Sequence, residues 1–349
     1  MKNMSILVSG PMEIDYVDRG INAPGKGEVL VKIKAAGVCG TDMEVLANKL
    51  IYYKTGFAKL PITPGHEWCG VVEALGEGVT EFAVGDHVTG ECTISCGHCK
   101  QCLSGHSSLC KNRTETGVIN RDGGYAEYIT FPATHLHKFT KLSFEEAAAI
   151  EPTCVATHAV IRGRVTPEDN VLVIGPGPIG LLAAQVAKKV YGAKKVIITG
   201  TRDESLVRAQ EYTDAQINVR KEDPAERIME LTNGEGVDVI LETAGATDSF
   251  ELAAKVVAPA CRIVLCGFFG EKAAPCSWDF ISTSDAEIIG TLSSPGVWDF
   301  VISLIEDGKI DVKSVISHTL PLKSKDDFMN ALDIMTSRKD NVCKVVLLP

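Results

Sequence analysis

Between Ile6 and about Phe139, apolar residues come in short or alternating runs broken by Gly and Pro. Examples are Val29-Leu-Val-Lys-Ile-Lys-Ala, Gly70-Val-Val-Glu-Ala-Leu, Asp86-His-Val-Thr-Gly and Tyr125-Ala-Glu-Tyr-Ile-Thr. A period of two interrupted by turn formers predicts a β-rich region. At Ser143-Phe-Glu-Glu-Ala-Ala-Ala-Ile the pattern changes, and Ser143 with Glu146 three positions on forms a capping box that predicts a helix start. Beyond it, apolar strand-like runs at 171–175, 196–199, 216–219, 237–241, 262–267 and 286–290 alternate with helical stretches, among them 179–190 and 204–212. Such alternation predicts an α/β fold with a doubly wound parallel sheet. One more helix at 325–336 and a last strand at 342–348 close the chain.

The 349 residues suffice for two domains, each with its own core. Apolar residues make up 45% and charged residues 23%, the balance of a globular protein. No apolar run approaches the roughly 20 residues needed to span a bilayer. The opening Met1-Lys2-Asn3-Met4-Ser5 runs into a strand pattern without an apolar leader, so no signal peptide and no membrane association are expected. The net charge of −10 disfavours nucleic acid and anionic membranes, which attract basic surfaces.

Twelve cysteines are spread through the chain, four of them bunched as Cys96-x2-Cys99-x2-Cys102-x7-Cys110. In a chain read as cytoplasmic this pattern predicts zinc and not disulfides. Four thiolates close a tetrahedral shell with no open position, which predicts a structural site in a loop without a core of its own. His98 and His106 lie in the same lobe but are surplus to a shell that four sulfurs fill. The cysteines outside this lobe, Cys39 apart, read as buried small hydrophobes.

A second, discontinuous set comprises Gly37-Val-Cys39-Gly-Thr41-Asp42 and Gly65-His66-Glu67. A thiolate, an imidazole and a carboxylate suit catalytic zinc, which keeps a position for water or substrate. A third motif is Gly175-Pro-Gly177-Pro178-Ile179-Gly180, placed after an apolar strand and opening a helix. In that context G-x-G-x-x-G predicts dinucleotide binding, with pyrophosphate at the helix N-terminus. At the end of the following strand, where a carboxylate would hold the adenosine ribose, the text is Gly200-Thr201-Arg202-Asp203. Loss of the acid and the nearby guanidinium favour NADP(H) over NAD(H), although Asp203 or Glu204 offers a carboxylate that would restore NAD.

Together these motifs, with Gly123-Gly124-Tyr125-Ala126-Glu127-Tyr128 and Arg262-Ile-Val-Leu-Cys-Gly-Phe, resemble the zinc-containing medium-chain alcohol dehydrogenases, particularly the sorbitol, threonine and butanediol dehydrogenase branch. The resemblance covers nearly the whole chain. It implies a GroES-like β-rich catalytic domain with both zinc sites over 1–152 and a Rossmann coenzyme domain over 153–293. A segment 294–349 returns to the first domain. It further implies that Cys39 and His66 bind zinc, that Glu67 binds it directly or exchanges with water, and that Glu151 is a direct or water-bridged ligand, with Cys154 as a rival. Asp42 would orient the zinc histidine, and Thr41 would take the alcohol proton. The family's usual relay histidine is replaced here by Glu44, so the proton leaves through Glu44 or through the nicotinamide ribose and water.

The implied activity is oxidation of a secondary alcohol of a polyol, sugar, cyclitol or diol to its ketone, in a homodimer or homotetramer. The segment 46–60, with Tyr52, Tyr53, Lys54, Phe57 and Lys59, is the expected determinant of substrate. Other readings are a threonine-type dehydrogenase, a zinc-free quinone or enone reductase on the same fold, a non-catalytic coenzyme-binding protein and a zinc-ribbon nucleic-acid binder.

Overall fold

In a computed structural model, residues 1–270 and 276–349 are described, and they form two compact units. The first comprises Met1–Glu151, Ser293–Glu306 and Ile316–Pro349; the second comprises Pro152–Leu292 and Asp307–Val315. The stretch Asp307–Val315, inside the segment expected to return to the first domain, therefore groups with the second unit.

The first unit is built on a seven-stranded sheet ordered Leu136–Lys138, His87–Gly90, Glu67–Leu75, Glu28–Val38, Lys344–Leu348 and Ile316–Pro321, with Tyr128–Pro132 pairing on Glu28–Val38. The long Glu28–Val38 strand is its spine: it pairs antiparallel with Glu67–Leu75, with Tyr128–Pro132 and with the C-terminal strand Lys344–Leu348. Its alternate apolar residues enter a core that contains Trp68, Phe131, Tyr125 and Phe328. Trp68 packs edge-on against Phe131 with ring centroids 5.0 Å apart. Each such ring, fully withdrawn from water, contributes about 1.5–3 kcal/mol. A separate three-stranded sheet of Thr93–Ile94, Thr114–Thr116 and Asn120–Arg121 carries the cysteine lobe.

The second unit holds a six-stranded, all-parallel sheet in the order Ala215–Asn218, Lys195–Gly200, Asn170–Ile174, Val237–Glu242, Val257–Leu265 and Glu287–Gly290. In chain order this is 3-2-1-4-5-6, the doubly wound order of dinucleotide-binding folds. The switch point of the strand order lies between Asn170–Ile174 and Val237–Glu242, the position at which open α/β sheets bind ligands.

Helix starts follow local chemistry. The capping box forms: Glu146 N–H donates to Ser143 Oγ at 3.2 Å, and Ser143 N–H donates to the Glu146 carboxylate at 2.8 Å. Two expected helices are modified. The one read at 179–190 is α-helical over Pro178–Gln185 and widens to a π-type turn over Val186–Val190, where Tyr191 N–H reaches back five residues to Val186 O. The one read at 204–212 is a short helix, Asp203–Leu206, followed by a 3-10 turn, Val207–Ala209. Its buried residues Leu206, Ala209 and Tyr212 recur every three positions, the 3-10 repeat and not the α repeat. Among the described residues no helix is long and apolar enough to cross a membrane.

Candidate metal and coenzyme sites

Cys39 directly follows the Glu28–Val38 strand and is the N-cap of a short helix, Gly40–Leu46. His66 and Glu67 stand at the start of the adjacent strand. The register sets Gly37 opposite Glu67, so the two motifs, far apart in sequence, meet at one end of the sheet. Donor atoms of Cys39, His66 and Glu67 all lie within 4.8 Å of one another. His66 and Glu67 are buried and Cys39 is half-buried. Thr41, in the first turn of that helix, places its hydroxyl 3.7 Å from the Cys39 sulfur. Glu44 projects from the same helix into solvent.

Asp42 supports this trio from within the protein. Its Oδ2 accepts hydrogen bonds from Cys39 N–H at 2.9 Å and from the Tyr125 hydroxyl at 2.6 Å. Its Oδ1 faces His66 Nδ1 at 3.6 Å, and neither of those two buried atoms has a hydrogen-bond partner. With Nδ1 turned toward Asp42, Nε2 is the ring's other donor atom. Burial opposes charging of His66, but the neighbouring Cys39 and Asp42 outweigh it and hold its proton affinity well above the ordinary imidazole value. A site that attracts a proton this strongly, with the donor atoms of a thiolate, an imidazole and a carboxylate converging and a second carboxylate facing the imidazole from behind, fits a divalent zinc ion in chemistry and in charge.

The Glu67 carboxylate is not a free donor. Lys344 Nζ lies 2.7 Å from both of its oxygens and 3.1 Å from Val38 O. Both side chains are almost wholly inaccessible, at 4% and 1% exposure. Burial works against the Lys344 charge, but Glu67 more than offsets it and raises the lysine's proton affinity above normal. Glu151, buried at the start of the helix Ile150–Arg162, lies outside the three-donor cluster yet interacts electrostatically with His66, Glu67 and Lys344. Its carboxyl is pushed up to about 7, chiefly by burial. Cys154, one turn further along that helix, is fully buried and is not part of the cluster.

Lys344 and Tyr125 were not legible as site residues from sequence. The available signal was a single lysine opening the apolar run Lys344–Leu348, since a charge in such a strand needs a buried partner.

The sulfurs of Cys96, Cys99, Cys102 and Cys110 also lie within 4.8 Å of one another, with Cys99 and Cys102 3.5 Å apart. The Cys96 thiol is drawn down to about 6, most strongly by the backbone N–H of His98. His98 turns its Nδ1 to the Cys96 carbonyl oxygen at 2.7 Å, and neither it nor His106 joins the cluster. Leu103 is 76% exposed and Leu109 51%, so the lobe has little apolar interior to hold it together.

In the second unit each glycine of the G-x-G-x-x-G turn has a distinct constraint. Gly175 has φ +106°, a conformation that side chains rarely adopt. A Cβ on Gly177, the N-cap of the helix Pro178–Gln185, would meet nothing within 4 Å. A Cβ on Gly180 would collide with the Gly175 carbonyl. The turn is therefore tight at its first glycine, open at the second and close-packed at the third, as pyrophosphate binding over a helix N-terminus requires. Pro178 and Ile179 form the first turn of that helix.

Gly200 ends the next strand, and a Cβ there would come within 2.6 Å of Pro176 Cγ. Thr201 is exposed and Arg202 half-buried. Asp203 is already engaged by Lys221 and by Asn218 Nδ2, the latter at 2.6 Å. The Arg202 side chain makes no hydrogen bond or ion pair among the described residues.

Comparison with known proteins agrees with this geometry. Residues 25–141 match the alcohol dehydrogenase GroES-like domain, and residues 178–307 match the zinc-binding dehydrogenase family. The chain is 34% identical over 332 residues to a sorbitol dehydrogenase of Halalkalibacterium halodurans, covering 93% of each chain. The alcohol dehydrogenase RspB of Escherichia coli CFT073, solved with NADH, superimposes with a TM-score of 0.89 at 32% identity over 100% of both chains. A protein described as a zinc-binding dehydrogenase of Sinorhizobium meliloti 1021, solved with NADP, gives 0.91 at 28% identity, again over 100% of both.

Proposed function

Because this chain belongs to the zinc-containing medium-chain alcohol dehydrogenases, we propose that it interconverts a secondary alcohol of a polyol, sugar, cyclitol or diol and the matching ketone, using NADP(H) in preference to NAD(H). The observation that carries this reading is the convergence of Cys39, His66 and Glu67 within 4.8 Å, in a chain whose glycine turn leaves room at Gly177 for a pyrophosphate. Cys39 and His66 would hold a catalytic zinc with Glu67 or Glu151, and the four-cysteine lobe would hold a structural one. When bound, zinc supplies Lewis acidity that eases loss of the alcohol proton, and the nicotinamide accepts the hydride.

The chain's own residues do the rest. The Thr41 hydroxyl, beside the metal thiolate, accepts the alcohol proton and passes its own onward, to Glu44 or to the coenzyme ribose and water. Asp42 faces the Nδ1 edge of the His66 ring at 3.6 Å and would orient it, and the Tyr125 hydroxyl holds Asp42. Glycines 175, 177 and 180 seat the coenzyme phosphates on the helix N-terminus.

Three observations favour a 2′-phosphorylated coenzyme. Gly200 offers no carboxylate to repel the phosphate, Asp203 is occupied by Lys221 and Asn218, and Arg202 is unengaged. The two solved relatives carry different coenzymes, so the choice rests on this chain's residues. We further propose a cytoplasmic homodimer or homotetramer.

The test is a screen of polyols, sugar derivatives and diols with both coenzymes, following absorbance of the reduced nicotinamide, alongside zinc analysis. Turnover with at least one such alcohol, higher kcat/KM with NADP and about two zinc atoms per chain, one for each kind of site, are expected. No zinc would overturn the metal reading, and a clear NAD preference would overturn the coenzyme assignment.

A further inference from the structure

We propose that a polar cleft in the first unit, lined by Arg19, Arg121, Tyr128 and Thr130, binds a small hydroxylated organic anion, either a carboxylate or a phosphate monoester. Its occupant bears on the backbone that leads to His66.

The cleft has a volume of about 660 Å³, within the range of about 300–1,000 Å³ that small-molecule sites occupy. Its walls come from the segments 3–5, 19–28 and 120–130, together with Thr63. No donor of either cysteine-containing metal cluster lines it.

Two guanidiniums and two carboxylates line this space, but they are not evenly paired. Asp122 accepts from Thr63 N–H at 2.8 Å through Oδ1 and meets Arg19 Nη1 at 2.7 Å through Oδ2. Glu28 Oε2 accepts from Gly25 N–H at 3.0 Å. Arg121 has only Thr114 Oγ1, 3.4 Å from its Nε, and its two terminal nitrogens make no hydrogen bond or ion pair among the described residues. Its guanidinium packs over Phe131, 5.8 Å from the ring centre. Burial lowers the proton affinity of Arg121, and Glu28 and Asp122 only partly offset that loss. A cation withdrawn from water with unused donors lacks an acceptor. A carboxylate or phosphate fits such a fork through two parallel hydrogen bonds.

Tyr128 and Thr130 stand two apart on the strand Tyr128–Pro132, on the face turned away from buried Ile129 and Phe131. Neither hydroxyl is hydrogen-bonded among the described residues, so both are available to the hydroxyl groups of a ligand.

Thr63 and Gly123 tie the cleft to the metal cluster. Gly123 N–H donates to Thr63 O at 2.7 Å, Gly124 N–H to Gly65 O at 2.7 Å and Tyr125 N–H to Pro64 O at 3.1 Å. One of these segments runs on into His66, and the other ends at Tyr125, whose hydroxyl holds Asp42. A Cβ on Gly123 would overlap the Gly65 carbonyl, and one on Gly65 would press on the Tyr125 ring, so there is no slack between them. Arg19 Nη1 also donates to Thr63 Oγ1 at 3.0 Å. A ligand drawn onto the two arginines therefore loads a close-packed path to His66.

The experiment titrates the coenzyme-saturated holoenzyme with gluconate and with glycerol 3-phosphate by calorimetry; saturation fills the coenzyme's own phosphate subsites. At least one probe is expected to bind, gluconate alone identifying a carboxylate site and glycerol 3-phosphate alone a phosphate site. Arg121→Gln should weaken that binding about 10- to 100-fold, the weight of a hydrogen bond to a charged group. Thr130→Glu leaves Arg121 on Phe131 and should weaken it as well, by lodging a carboxylate in the cleft. The bound probe is expected to shift kcat/KM in the wild type and not in Arg121→Gln. Binding without that shift overturns the link to His66 and leaves the anion site standing. Binding of neither probe, as in a cleft that holds only water, overturns the site. Wild-type affinity in Arg121→Gln also overturns it, and Thr130→Glu decides in its place where Arg121→Gln does not fold.

Discussion

The Tyr125 hydroxyl lies 2.6 Å from Oδ2 of Asp42, where neither side chain has any exposed surface. The same hydroxyl is 3.0 Å from the carbonyl oxygen of Gly37, but a phenol has one proton to give. Given to Asp42, it stabilises a carboxylate whose own proton affinity is raised by burial. Tyr125 thus steadies the group that faces the His66 ring.

Tyr125→Phe keeps the ring and removes only that donor. Leaving a buried carboxylate short of a partner costs about 1–3 kcal/mol, and a looser His66 should lower kcat/KM by roughly 10-fold or more. Thermal unfolding and steady-state kinetics on the one variant separate the two effects. An unchanged kcat/KM with a lowered Tm would confine Tyr125 to stability.

The four-cysteine lobe has little core of its own, so its order should depend on metal. Cys99→Ser or Cys102→Ser is expected to lose one zinc per chain, lower Tm and expose residues 96–110 to protease. Structural zinc supplies on the order of 10 kcal/mol to small zinc-finger peptides, large against the about 5–15 kcal/mol stability of ordinary domains. A fully protease-resistant, metal-depleted lobe would contradict this.

Coenzyme choice should separate at Arg202 and Gly200. Arg202→Ala removes one charged contact to a 2′-phosphate, worth about 1.5–3 kcal/mol, or roughly 10- to 100-fold in kcat/KM with NADP, with little change for NAD. Gly200→Asp is not the simple converse. Its Cβ would press on Pro176 and Leu206, so a fall in Tm should accompany any gain with NAD. Equal losses with both coenzymes in Arg202→Ala would remove Arg202 from the phosphate site.

His137 bridges two acids: its Nδ1 is 2.7 Å from Asp299 and its Nε2 3.1 Å from Glu91, with the ring stacked on Trp298. Burial opposes the charged ring, but the two carboxylates prevail and raise its proton affinity. A raised folded-state pKa means the stabilisation is complete below the unfolded value, about 6.5, and is lost as pH rises through the folded one. The Tm advantage of the wild type over His137→Ala should therefore be largest near pH 6 and shrink on the alkaline side. A pH-independent gap would show that packing on Trp298 accounts for it.

Much of the architecture was readable from local pattern. The glycine turn, the four cysteines and the Ser143 capping box each lie within a few residues, where chain geometry alone limits what the side chains can reach. The parallel sheet followed from alternating strands and helices, because a parallel pair requires a crossover. The stretch 204–212 has the sequence pattern of a single helix and the structure of a short helix plus a 3-10 turn, because an apolar repeat of three imitates a repeat of 3.6 over so short a span.

Composition and spacing determined the two kinds of donor set and the dinucleotide turn, since these depend on which atoms a short segment can offer. Tertiary structure alone decided which distant residues meet them. Lys344 reaches Glu67 across 277 positions, and Tyr125 reaches Asp42 across 83. Those meetings depend on strand order and register, where a slip of one residue turns a side chain to the opposite face. Burial then makes each pairing matter, because a lysine or a carboxylate withdrawn from water must find its partner inside the fold.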